Sequence, residues 1–133
     1  MRDPLAVVTE FLTAISGSHE NAFANAVRRW FTPETVWDNV GLLTTIGADE
    51  AIAAWQGFGA SGLHSLRVET LAIAAQGSKV LTERVDHMLD AGGNTTGQVA
   101  VMGIFEVGDD GRILRWSDYF DPTPFKQAAA AAS

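Results

Sequence analysis

Residues 79–89, KVLTERVDHML, alternate as a β-strand does, yet the middle of the run holds Glu83, Arg84, Asp86 and His87. Successive strand side chains point to opposite faces, so Val80, Thr82, Arg84, Asp86 and Met88 share one face and Leu81, Glu83, Val85, His87 and Leu89 the other. An arginine and an aspartate on one face fit two readings. They form a surface ion pair worth about 0 to 1 kcal/mol, or they belong to a buried polar cluster. Alternation alone does not decide which face is buried.

Outward from this run the texture repeats. LRVETLAI (66–73), GQVAVMGIFEV (97–107) and RILRWSDYF (112–120) are separated by AAQGS, DAGGNTT and GDDG, which are turn compositions. Four strands in antiparallel succession are predicted. The first half of the chain reads as helices. Asp3 before Pro4 is an N-cap followed by a proline at the first helical position, and Leu5, Val8, Phe11, Leu12 and Ile15 recur at helical spacing until SGS stops them. ENAFANAVRRWF (20–31) is predicted as a second helix that Pro33 ends, and GADEAIAAWQGF (47–58) as a third, with TVWDNV (35–40) as a short segment between them. Helices followed by an antiparallel sheet make an α+β domain. One domain over residues 1–125 is expected, with 126–133, KQAAAAAS, as a low-complexity tail.

Composition excludes several functions. At 133 residues and 47% hydrophobic, the chain has material for one real core. Its apolar runs fall short of a membrane span, and MRDPLAVVTEFL lacks the organisation of a secretory signal, so a cytoplasmic protein is expected. A net charge of −7 argues against nucleic acid, whose binding relies on basic patches. The absence of cysteine removes disulfides, thiolate catalysis and cysteine-ligated zinc. His19, His64 and His87 lack metal-ligand spacing, and His87 points away from Asp86 by strand phase. Asn94 in NTT and the GDDG run read as turns. Trp30, Phe31, Trp55 and Phe58 read as core.

The last strand sharpens the question. Asp118 lies on the more apolar face of RILRWSDYF, between Trp116 and Phe120. A buried carboxylate is costly unless a cation or several donors meet it, and Arg84, whose planar fork serves two carboxylates at once, is the candidate partner.

RVDHMLDAGG, VMGIFEV and GRILRWSDYFD at this spacing resemble the limonene-1,2-epoxide hydrolases and their SnoaL-like relatives, within the broad group of cone-shaped domains like nuclear transport factor 2. The resemblance covers most of the chain, from the first helix to DYFDP. It implies a cone with a curved mixed or antiparallel sheet packed on N-terminal helices, and an aspartate, arginine, aspartate triad matching Asp86, Arg84 and Asp118. It also implies Asn39 as a water-holding residue. Trp37 stands where the family carries tyrosine. An indole N–H only donates, so the attacking water loses an acceptor. Two outcomes stay open: a slower hydrolase with a reshaped pocket, or a substrate hydroxyl in place of water, giving a cyclic ether. Trp116, Met88 and Phe120 are the expected pocket residues. The implied reaction is cofactor-independent opening of an apolar epoxide to a diol, in a homodimer joined through the outer sheet face. The same architecture hosts isomerases, cyclases and silent binding domains, which are the alternatives.

Overall fold

The computed structural model describes residues 2–17, 21–59 and 62–126. Helix α1 (Pro4–Ile15) begins where Asp3 caps it, its carboxylate accepting from the Leu5 N–H at 3.3 Å, and Pro4 fills a position that needs no donor. Its buried face is Val7, Val8, Phe11, Leu12 and Ile15. Helix α2 (Ala22–Trp30) buries Phe23, Ala26, Val27 and Trp30. It stops one residue short of the sequence-based expectation, because Phe31 already opens strand β1 (Phe31–Asn39). Strand β2 (Leu43–Ile46), helix α3 (Gly47–Gly59) and strands β3 (Ser65–Gln76), β4 (Lys79–Leu89), β5 (Thr95–Val107) and β6 (Ile113–Tyr119) follow.

Six strands form one sheet in the order β2-β1-β6-β5-β4-β3. The four C-terminal strands are antiparallel, as their turns require, but β1 lies beside β6 in parallel. The sheet is therefore mixed, and two of its strands come from the segment that carried no strand expectation. Pro33 is accommodated in β1 because the ladder to β6 breaks between Phe31 and Val36. Local bonds replace the missing ladder: the Thr32 N–H donates to Thr35 Oγ1 and the Glu34 N–H to Thr32 Oγ1.

The helices cover one face of the sheet. Phe11 is the hub, with ring centroids 5.2 Å from Trp116, 5.8 Å from Trp30 and 6.1 Å from Phe105. Trp37, Trp116 and Phe105 stand level on three neighbouring strands and stack in a row, 5.1 and 5.5 Å apart. Burying side chains of this size contributes roughly 1.5–3 kcal/mol each. The phase of β4 is now decided: Val80, Thr82 and Arg84 are buried against this core, while Leu81 is 41% exposed on the other face. Trp30, Phe31 and Trp55 are core residues and Phe58 packs on them. No helix among the described residues is long and apolar enough to cross a membrane.

Candidate active site

Strand β4 supplies Arg84 and Asp86, and β6 supplies Asp118. Strand β5 lies between them, with Gly103 level with Thr82 on one side and with Asp118 on the other. Arg84 therefore has to reach across β5, and Gly103 makes this possible. A Cβ there would run into Arg84 Nη1 and lie 2.6 Å from Asp118 Oδ1 and 3.0 Å from Thr82 Oγ1. Its backbone is not in the left-handed region, so the glycine is needed for space alone.

Arg84 is 1% exposed and all five of its N–H groups are engaged. Nε and Nη2 donate to Asp86 Oδ1 and Oδ2 at 3.2 and 3.0 Å, and Nη1 and Nη2 donate to Asp118 Oδ1 and Oδ2 at 3.1 and 2.9 Å. Nη1 also donates to Thr82 Oγ1 at 3.1 Å, and the Thr82 hydroxyl donates in turn to the Gly103 carbonyl. Trp116 Nε1 donates to Asp118 Oδ1 at 2.7 Å. One guanidinium thus bridges two carboxylates, an arrangement that a lysine's point charge cannot reproduce.

The electrostatics follow from burial. Desolvation alone would lower the Arg84 pKa, but the charges of Asp118 and Asp86 and their hydrogen bonds hold it above the ordinary value. Burial pushes the Asp118 carboxyl up; the charge and hydrogen bonds of Arg84 pull it back without cancelling the effect, and the nearby charge of Asp86 adds to the rise. The Asp86 side chain is 16% exposed against 7% for Asp118, so Asp86 is the more accessible acid. Two carboxyls in different surroundings around one fixed cation are suited to moving two protons in opposite directions.

Asn39 stands beside Asp118 in the parallel β1–β6 pair, and Trp37 beside Trp116. Both are buried. The Trp116 ring lies in the core and its N–H donates to Asp118. Met88 is half-buried two residues along from Asp86, its methyl group facing Gly97. Phe120 lies past the end of β6 and meets Phe125 edge-on at 5.5 Å. His87 faces away from the triad, 3.0 Å from Glu69 Oε1. His64 donates its backbone N–H to Leu89 just before β3, and His19 lies outside the described residues. Asn94 closes a turn on Asp90. Among the described residues no cluster of three or more His, Cys, Asp or Glu forms a metal-binding group. A separate groove of about 470 Å3 runs between α1 and β3, lined by Leu12, Thr13, Val68, Thr70 and Ile73 among others, and none of the triad lines it.

Gly103 and Thr82 are the residues that sequence reasoning passed over. The signal was present in Gly103, an isolated glycine in the middle of an apolar strand, which marks a close approach. Thr82 carried none beyond its share of the Arg84 face.

The architecture is that of the SnoaL-like and nuclear-transport-factor-2-like domains. A solved NTF2-like protein of unknown function from Burkholderia pseudomallei superposes with a TM-score of 0.74 at 17% identity, over 96% of this chain and 98% of its own. The family is narrower. Residues 2–130 match the limonene-1,2-epoxide hydrolase catalytic domain, and the chain belongs to that family. It is similar to epoxide hydrolase EphG of Mycobacterium tuberculosis (strain ATCC 25618 / H37Rv), with 34% identity over 114 residues, 86% of this chain and 70% of the relative. The solved structure of an M. tuberculosis LEH-like epoxide hydrolase superposes with a TM-score of 0.71 at 30% identity, covering 94% of this chain and 87% of that one.

Proposed function

We propose that this protein is an epoxide hydrolase of the limonene-1,2-epoxide hydrolase type, opening an apolar epoxide with water to a vicinal diol in one step. The observation that carries the reading is the single buried arginine holding two carboxylates through every donor it has. Asp118, ionised, takes a proton from a water held beside it by Asn39. Asp86, the more exposed of the two carboxyls, acts as the acid and delivers a proton to the epoxide oxygen. A bond forms from the water oxygen to one ring carbon as the carbon–oxygen bond of the ring breaks, and a proton returned from Asp118 to Asp86 completes the cycle. Three donors aimed at Asp118 favour its anion, while burial raises its proton affinity, and a base needs both. No cofactor takes part.

Single-turnover reaction in oxygen-18 water tests this. The diol should carry one heavy oxygen from the first turnover. A first-turnover diol without it would mean a covalent ester on Asp86 or Asp118. A carbonyl product would make the protein an isomerase, and a cyclic ether would mean that a substrate hydroxyl attacks.

The working unit is a homodimer joined through the outer face of the sheet, where Leu81, Met102 and Tyr119 are exposed on adjacent strands. Sedimentation velocity should give twice the chain mass, and Met102→Glu should give the single chain.

A further inference from the structure

Among the described residues the buried polar side chains are paired, with one local exception. The Thr35 hydroxyl donates to the Ile113 carbonyl and the Thr82 hydroxyl to that of Gly103, and Ser117 accepts from Arg115. Among the described residues only three buried side-chain polar atoms lack a partner: Trp37 Nε1, Asn39 Nδ2 and Thr45 Oγ1. They are not scattered. Thr45 is the direct cross-strand partner of Trp37, and Asn39 is the next inward-facing residue of β1, beside Asp118. All three residues are more than nine-tenths buried, on the β1–β2 wall that α3 covers. A dry, unpaired polar group costs stability; the water of the proposed reaction meets Asn39, and Trp37 and Thr45 beside it call for a further occupant. Their chemistry defines it. The indole and the amide nitrogen only donate, and the hydroxyl can also donate, so the complement is an acceptor oxygen. The triad does not supply one: its carboxylate oxygens bond to Arg84 and Trp116 and to none of the three atoms.

We infer that Trp37 and Thr45, next to the Asn39 that holds the water, form a second polar subsite that binds a further oxygen of the substrate, so that otherwise apolar epoxides bearing a hydroxyl or carbonyl group are preferred over plain hydrocarbons. The inference rests on the epoxide-opening reading for where the ring sits. Asn39 is one strand from Asp118 and Thr45 two, so the second oxygen binds roughly 5–10 Å from the base. Asn39 stands between the two halves of the site and orients the molecule in both.

The test uses three linear terminal epoxides of equal chain length: the hydrocarbon, the ω-hydroxy compound and the ketone. Wild-type kcat/KM should favour the oxygenated pair by about tenfold or more, as a site built to hydrogen-bond an oxygen discriminates against its absence. Thr45→Val and Trp37→Phe should each bring the ratio toward one. Thr45→Val removes an unpaired hydroxyl at almost constant shape and should keep or raise the melting temperature, so folding will not obscure the result. Equal turnover of all three compounds by the wild type would overturn the subsite, water then being its only occupant. So would an equal loss on all three in both variants, which would make the wall purely structural. Should none of the epoxides be opened, the hydrolase reading fails while the subsite remains testable by calorimetry with the same compounds. Tighter binding of the oxygenated pair that Thr45→Val abolishes supports it, and indistinguishable binding overturns it.

Discussion

Two neighbouring parts of one sheet treat buried polarity in opposite ways. On β4, β5 and β6 every donor of Arg84 is used and Asp118 accepts three hydrogen bonds. On β1 and β2, one strand away, Trp37, Asn39 and Thr45 each keep a buried atom without a partner among the described residues. The first region is closed on itself and therefore rigid. Its geometry is set before substrate arrives, which is what proton transfer needs. The second keeps donors free for a guest, and on the inference above it is where substrates are selected. A site can fix its chemistry in one place and its specificity in the next when they share a sheet but not a hydrogen-bond network.

The comparison breaks most decisively at the acids. Asp86→Asn and Asp118→Asn should each lower the rate by roughly 100- to 10,000-fold with the circular dichroism of the fold retained, because the amide keeps the shape and cannot carry the proton. A variant keeping more than a tenth of the wild-type rate would remove that acid from the mechanism.

Next comes the spacer. Gly103→Ala adds one carbon where Arg84 crosses to Asp118, and the atoms it meets belong to the triad itself. It should cost about 1–3 kcal/mol of stability in urea titration. The rate should fall by about 100-fold, since a small misplacement of reacting groups has that effect. Normal kinetics would show that the triad tolerates displacement and is not rigid.

The electrostatic contrast is read from stability against pH. Burial raises the Asp118 pKa above its ordinary 3.8 in the folded protein, so the fold favours its protonated form. That contribution is fully present below the ordinary value and is lost as the pH rises through the raised one. Asparagine does not titrate. The stability difference between wild type and Asp118→Asn should therefore move in favour of the variant as the pH rises from about 3.8. Denaturant midpoints across the acid range measure it, and a shift the other way would mean that the donors outweigh burial.

The smallest effect belongs to the open wall. Trp37→Tyr gives the nucleophile an acceptor in place of an indole, a change of one hydrogen bond. It contributes about 0.5 to 1.5 kcal/mol, or about two- to tenfold in rate on small hydrocarbon epoxides. The rate should rise by that factor. No change would separate Trp37 from the water altogether and leave it to the substrate.

Much of this was readable before any coordinates. Helix α1 was legible down to its capping residue because caps and helical periodicity act over a few neighbours. The four C-terminal strands were legible because alternation and turn composition do too. Strand β1 was not: Pro33, Asp38 and Asn39 are poor strand formers, and only its place between β2 and β6 makes the segment extend. The end of α2 was misplaced for the same reason, Phe31 being drawn into the sheet.

The residues of the triad stood in the sequence, and the family resemblance brought them together. The chain's own periodicity left the Arg84 face undecided between solvent and core. What the sequence by itself determined was the set of local elements and the polar residues available, among them an arginine two residues from an aspartate on one strand face. Only the tertiary structure decided that β5 would separate Arg84 from Asp118 with a glycine at the crossing, that β1 would lie parallel to β6 and bring Asn39 to Asp118, and that Trp37 and Thr45 would be left buried with no partner for one polar atom each among the described residues. The reason is range. Periodicity, capping and turn chemistry are set by residues a few positions apart, whereas strand order and register are chosen by burial and pairing between segments as distant as residues 39 and 118, and no local signal encodes that choice.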